Sequence, residues 1–164
     1  MSKTAIVTGG TRGIGESISI KLKEQGLNVI ANYASNEDAA TNFSDKTGIK
    51  VMKWDVSNYE ECKKNVEKIY SEFENIDILV NNAGITEDNL VLRMSQDQWS
   101  KVIKTNLDSS YNIIKTLLPN MLSNRYGKII GISSVVATTG NPGQSNYVAS
   151  KSGMIGLYKS IALE

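Results

Sequence analysis

The sequence predicts an α/β protein built on a doubly wound parallel sheet, for three reasons. Short apolar, β-favouring runs alternate with segments of helical period from one end of the chain to the other. Several of those runs are apolar without interruption, as strands covered by helices on both faces must be. A glycine-rich turn, Thr8-Gly9-Gly10-Thr11-Arg12-Gly13-Ile14-Gly15, joins the first run to the first helical segment. A chain of 164 residues fits one domain, and at that size roughly two thirds of the unfolded surface can be buried.

Taken in order, strands are expected at Thr4–Thr8, Asn28–Tyr33, Lys50–Asp55, Ile76–Asn81 and Lys128–Ser133. Helices are expected at Ile14–Gln25, Glu37–Lys46, Tyr59–Phe73, Gln96–Thr105, Leu107–Asn124 and from Asn146 onward, the first stopped by Gly26. In the third helix Cys62, Val66, Ile69 and Phe73 recur at helical spacing, so Cys62 reads as a small apolar group on the buried face. Trp54 and Trp99 read as packing residues.

Composition narrows the function classes. Hydrophobic residues at 40% and charged residues at 21% describe a folded globular protein and give disorder no support. With 18 basic against 17 acidic residues the net charge is +1, so no global field draws the chain to nucleic acid or anionic lipid. Cys62 is the single cysteine, which precludes an intrachain disulfide and a cysteine metal cluster and suits a reducing, cytoplasmic compartment. Met1-Ser2-Lys3-Thr4 leads straight into the first apolar run, without a signal-peptide core or a membrane-length stretch. Histidine is absent, so acid and base work must fall to other groups and no metal is expected.

The glycine-rich turn has the position in which a Rossmann-type sheet binds a dinucleotide pyrophosphate. Glycines let the backbone approach the phosphates, and the helix amino terminus offers free N–H groups and partial positive charge. The spacing of Gly9, Gly13 and Gly15 differs from G-x-G-x-x-G. At the end of the second strand, Asn32-Tyr33-Ala34-Ser35 supplies no carboxylate before Glu37, whereas NAD-preferring sites place an acid there for the ribose hydroxyls. Arg12 either faces a 2′-phosphate with its fork of donors or is a solvated turn residue. The expectation is NADPH, with Gly9, Thr11, Arg12, Gly13, Ile14, Gly15, Asn32 and Ser35 lining its site. Further along, Tyr147 and Lys151 lie four apart in a helical segment and share a face. An ammonium one turn from a phenol favours the phenolate, a use for that spacing in acid and base catalysis.

These motifs resemble the short-chain dehydrogenase/reductase family. The turn is similar to its Thr-Gly-x-x-x-Gly-x-Gly motif, Asp55-Val56 to its adenine-binding pair, and Asn81-Asn82-Ala83-Gly84 to its Asn-Asn-Ala-Gly signature, all in the family's order. The resemblance implies coenzyme contacts from Asp55, Val56, Asn82, Ala83 and Gly84, and a catalytic set of Asn106, Ser134, Tyr147 and Lys151. In that set Tyr147 protonates a carbonyl oxygen, Ser134 polarises it, Lys151 also binds the nicotinamide ribose, and Asn106 holds a water in the proton path. A coenzyme sensor that has lost the chemistry, or a sugar-nucleotide epimerase, would share parts of this pattern. The intact four positions argue against the sensor and the chain length against the epimerase.

Asn82 through Thr86 with Arg93-Met94, and Gly131 through Val136 with Gly143 through Tyr147, look like the bacterial 3-oxoacyl-(acyl carrier protein) reductases and acetoacetyl-CoA reductases. Both groups reduce a 3-oxoacyl thioester, and the choice of acyl carrier protein or CoA stays open. Ser134, Gln144 and Tyr147 are the expected substrate contacts. Arg125 is expected near the site mouth, either docking an acidic carrier protein or complementing a helix dipole. The sequence ends at Ile161-Ala162-Leu163-Glu164 within an apolar helical period and without a stop signal. From this the expectation is a single coenzyme-binding domain over residues 1–164 that lacks the family's carboxy-terminal strands, with little turnover alone and a tetrameric, homo-oligomeric tendency through the helices bearing Asn106 and Tyr147.

Overall fold

The computed structural model describes residues 2–164, so Met1 of the opening tetrad lies outside the described residues. Five strands, β1 (Thr4–Val7), β2 (Asn28–Tyr33), β3 (Lys50–Lys53), β4 (Ile78–Asn81) and β5 (Lys128–Gly131), form one parallel sheet in the order β3-β2-β1-β4-β5. The helices are α1 (Gly13–Glu24), α2 (Glu37–Thr47), α3 (Tyr59–Glu72), α4 (Gln96–Ile103), α5 (Ser109–Ser123), α6 (Val136–Thr139) and α7 (Ser145–Ile161). Chain order reverses between β1 and β4, the switch point at which parallel sheets open a crevice beyond their carboxyl ends.

Strand alternation sorts the core into two layers. Ile6, Ile30 and Leu79 face one side and pack with Val66 and Ile69 of α3 and Ile113 and Leu117 of α5. Their neighbours Val7, Val29, Ala31 and Val80 face the other side, against Ile18 and Leu22 of α1 and Phe43 of α2. Adjacent residues thus go to opposite faces, as a period of two requires, and both faces are covered. Cys62 is fully buried in the first layer beside Trp54 and Val66. Trp99 departs from its expected packing role: on α4 it is 37% exposed.

Local signals account for most element ends. Gly26, at φ +83°, follows α1, and its N–H donates to the Lys23 carbonyl while that of Leu27 donates to the Leu22 carbonyl, the paired bonds of a Schellman stop. Asn36, Asn58 and Ser95 accept backbone N–H groups at the starts of α2, α3 and α4. Between α4 and α5 the chain does not break at Asn106 as the sequence pattern implied. Residues Lys104–Asp108 form a π-helical turn that keeps the two helices continuous. The short helix α6 was also not expected from the sequence.

Candidate active site

The glycine turn is shaped by contacts that only glycine permits. Gly9 and Gly13 sit at φ +59° and +55°. A Cβ on Gly15 would lie 2.1 Å from the Gly9 carbonyl oxygen and 2.6 Å from Asn82 Nδ2. Thr8 joins this turn to the loop after β4, its hydroxyl oxygen accepting the N–H groups of Asn82 and Ala83, both at 3.0 Å. Asn82 returns the tie by donating to the carbonyls of Thr8 (3.0 Å) and Gly9 (3.2 Å). Asn32 is 2% exposed and holds the turn from the other side, accepting the Gly9 N–H at 3.3 Å and donating to the Trp54 carbonyl at 2.9 Å. With its amide so engaged, Asn32 shapes the groove more than it reaches into it.

A groove of about 630 Å³ opens over this turn. All the expected coenzyme contacts outside the Tyr147 helix except Gly15 line it: Gly9, Thr11, Arg12, Gly13, Ile14, Asn32, Ser35, Asp55, Val56, Asn82, Ala83 and Gly84. Gly15 lies beneath it, buried, as do Thr8 and Gly10 of the turn. Tyr33, Asn36, Ala39, Ile85 and Thr105 also line it and had no sequence signal beyond proximity to the motifs. No side chain caps α1, whose first-turn N–H groups therefore remain available to an anion. The carboxylate of Asp55 is turned onto the N–H and hydroxyl of Ser57, both at 2.8 Å. These positive-φ glycines, the uncapped helix start and the absence of a Cβ where phosphates must approach fit a dinucleotide.

A second cleft of about 440 Å³ adjoins the first through Arg12, Ile14, Asn82, Gly84 and Ile85, and is completed by Thr86, Ile132, Ser133, Tyr147 and Lys151. Lys151 is 3% exposed, its Nζ donates to the Ile132 carbonyl at 2.7 Å and lies 5.8 Å from the Tyr147 ring centre. Burial pushes its ammonium below the ordinary lysine range. Gly84 faces it, since a Cβ there would stand 3.6 Å from Lys151 Nζ and 3.3 Å from Asn106 Oδ1. Asn106 is fully buried in the π turn. Its oxygen accepts the Ile85 N–H at 2.8 Å, and its amide donates to the Ile85 carbonyl at 3.0 Å and the Ser150 hydroxyl at 3.1 Å.

The remaining expected residues are placed less directly. Ser133 lines the cleft and donates to the Lys151 carbonyl at 3.2 Å. Its neighbour Ser134 accepts the Val136 N–H at 3.4 Å and keeps its O–H for donation. Gln144 is turned toward Asp88, to which it donates at 2.9 Å. Arg125 stands apart from the cleft. It precedes β5, whereas the cleft residues Ile132 and Ser133 follow that strand, so Arg125 stands at the opposite end of the sheet from the mouth of its own cleft. Its place at the carboxyl end of α5 with φ +51° belongs to the helix stop.

Among the described residues no cluster of histidine, cysteine, aspartate and glutamate has the makings of a metal site, and no helix is long and apolar enough to cross a membrane. Residues 3–164 match the family model described as short chain dehydrogenase. The chain belongs to the short chain dehydrogenase family. It is 48% identical over 164 residues to an acetoacetyl-CoA reductase of Shinella zoogloeoides, covering all of this chain and 68% of the relative. It is 45% identical over 169 aligned positions to a 3-oxoacyl-[acyl-carrier-protein] reductase of Staphylococcus epidermidis, covering all of this chain and 69% of the relative. An acetoacetyl-CoA reductase of Rhizobium meliloti is 44% identical over the same full chain and 68% of its own length. The glycine groove and the adjoining Tyr147–Lys151 cleft are therefore found in a chain of an oxidoreductase family.

Proposed function

We propose that this protein reduces the keto group of a 3-oxoacyl thioester with NADPH, with Asn106, Ser134, Tyr147 and Lys151 as its working set. The observation that carries the reading is the continuity of the two clefts: residues 12, 14, 82, 84 and 85 line both, so a dinucleotide in the glycine groove leads directly to Tyr147 and Lys151. The bound nicotinamide would supply hydride to the carbonyl carbon. Tyr147 hands its phenolic proton to the carbonyl oxygen, and Ser134 donates a hydrogen bond to the negative charge developing there. Lys151, anchored to the Ile132 carbonyl, keeps a cation beside the phenol and would bind the nicotinamide ribose of the coenzyme. Asn106 fixes the Gly84–Ile85 wall and stands on the proton path. Arg12 lines both clefts and has no ion-pair partner among the described residues, which supports a 2′-phosphate contact and hence NADPH over NADH.

The two kinds of named relative reduce, by their names, a 3-oxoacyl group on acyl carrier protein or acetoacetyl-CoA, and their identities of 45% and 48% do not separate the carriers. Acetoacetyl-CoA as the specific substrate is the second reading, favoured by the distance of Arg125 from the cleft. Gln144, beside Tyr147, would contact the acyl group once released from Asp88. We place the protein in the cytoplasm as a homo-oligomer, supported by its single buried cysteine and by the exposed Trp99 and Tyr111 on α4 and α5. The test follows NADPH and NADH oxidation with acetoacetyl-CoA and acetoacetyl-carrier protein in parallel. Turnover with NADPH that falls at least about 100-fold in Tyr147→Phe is expected. NADPH binding without turnover of either thioester would leave a coenzyme sensor in its place.

A further inference from the structure

Two fully buried polar residues flank Tyr147, and the mechanism above does not use either of them. Asn146 and Ser150 are both wholly excluded from solvent on α7. Asn146 Oδ1 accepts the N–H of Tyr147 at 2.7 Å, and Ser150 Oγ donates to the carbonyl of Tyr147 at 2.7 Å. Each also ties α7 to a separate piece of chain. Asn146 Nδ2 donates to the Glu87 carbonyl at 3.0 Å and the Gln98 carbonyl at 3.2 Å. Ser150 Oγ accepts from Asn106 Nδ2, and the Asn106 amide bonds both the N–H and the carbonyl of Ile85.

We propose that Asn146 and Ser150 are positioning residues that clamp the backbone of Tyr147, by its N–H and by its carbonyl, to the 85–87 loop that enters the clefts through Ile85. Asn146 also satisfies a first-turn N–H of α7 that has no helical partner, but helix stability does not call for Ser150: serine is a weaker helix former than alanine, and bonded to the carbonyl three residues back it competes with the helical ladder. What they provide is a fixed spacing between two separate pieces of chain. Tyr147 belongs to α7, while Ile85 lines both clefts and belongs to the loop after β4. A displacement of about 1 Å between reacting groups costs on the order of 100-fold in rate, so a fully satisfied buried network is a suitable device for holding that spacing. Asn106 then acts through Ser150 as well as through Ile85, which gives the π turn a role in placing α7. This rests on the reductase reading of Tyr147.

The test compares Ser150→Ala, Asn146→Ala and their double variant with the parent chain, with Ser160→Ala on the exposed part of the same helix as control. Ser150→Ala is expected to lower kcat for acetoacetyl-CoA reduction about tenfold or more, to leave the NADPH dissociation constant within about twofold, and to raise the deuterium isotope effect from 4-deuterated NADPH. The double variant should be no worse than the poorer single, because the two hold the backbone of one residue from either side. Should Asn146→Ala fail to fold, Ser150→Ala alone carries the comparison. A second readout needs no turnover. In protein with ¹³C-labelled tyrosine, the Tyr147 ring resonance, identified by its loss in Tyr147→Phe, should be single in the parent and broadened or split in Ser150→Ala. If the parent reduces no thioester yet this resonance responds, the proposed function falls and the clamp stands. A kcat within twofold of the parent together with an unchanged Tyr147 resonance in Ser150→Ala overturns the clamp.

Discussion

Two glycines in this chain invite the same substitution with opposite outcomes. A Cβ on Gly15 would meet the Gly9 carbonyl oxygen at 2.1 Å, a backbone atom that cannot yield without opening the turn. Gly15→Ala is therefore expected to cost about 2 kcal/mol or more and to abolish NADPH binding by fluorescence titration. Gly156, exposed within α7, has nothing within 4 Å of a built Cβ. Gly156→Ala should stabilise by roughly 0.5–1 kcal/mol, by relieving the entropy that glycine loses in a helix. Urea melts of the two variants check the pair, and equal effects would refute the contrast. Cys62 makes a different point at the same scale. Burial pushes its thiol up to about 12 from an ordinary value of 9.0. The folded state thus keeps the proton that the unfolded chain releases first. By linkage the buried thiol favours folding fully below pH 9, and that contribution is lost progressively as pH rises from 9 toward 12. A thiol reagent at pH 8 should find Cys62 only after denaturant is added, and Cys62→Ala should flatten the fall in stability above pH 9.

At the scale of elements, the strands and the helix faces were legible because both rest on periodicity. Ile6 and Val7, or Leu79 and Val80, alternate in the sequence and face opposite layers in the fold. Strand ends were less legible. Trp54, Asp55, Ile132 and Ser133 continue the apolar runs but leave the sheet, since the carboxyl ends of the strands open into the clefts. The π turn was illegible for another reason. Helices were expected to end at Thr105 and restart at Leu107, but the tertiary bonds from the Asn106 amide to Ile85 and Ser150 hold the helix through it. π-helical turns recur at functional sites, and this one places Asn106 where a regular α-turn would not. The site itself was read from four motifs. Asn146 and Ser150 were missed, because a small polar residue inside a helical period carries no sign of what it touches. Asn106→Ala would orphan the Ile85 N–H and carbonyl together, at about 1–3 kcal/mol for each buried group left unpaired. A fall in Tm of several degrees is expected by calorimetry, larger than for Asn42→Ala on the exposed face of α2. Equal melting temperatures would show that the π turn does not depend on Asn106.

At the scale of the whole molecule, the two sides of the sheet end differently. β3 ends one edge with three of its four residues half-buried, whereas β5, at the other edge, alternates exposed and half-buried residues. Ile130 is 46% exposed, and its backbone is paired on one side only among the described residues. Beside β5 an apolar groove of about 500 Å³ is lined by Leu118, Met121, Ile129, Tyr158 and Ile161. An open, apolar edge strand is a template for pairing with another chain. The net charge of +1 offers little repulsion to oppose it. The 164-residue chain is therefore expected to associate as its concentration rises. Ile130→Lys places a charge on the open edge, where the side chain is already half in water. It should cost no more than about 1 kcal/mol of strand preference, which for a domain of this size corresponds to roughly 2–4 °C in Tm. Light scattering across a concentration series is the direct measurement: association in the parent chain, clearly less of it in Ile130→Lys, and nearly unchanged melting. If instead the parent stays monomeric throughout the series, or the lysine variant associates to the same extent, the β5 edge is not what brings the molecules together, and the exposed side chains of α4 and α5 become the surface to alter next.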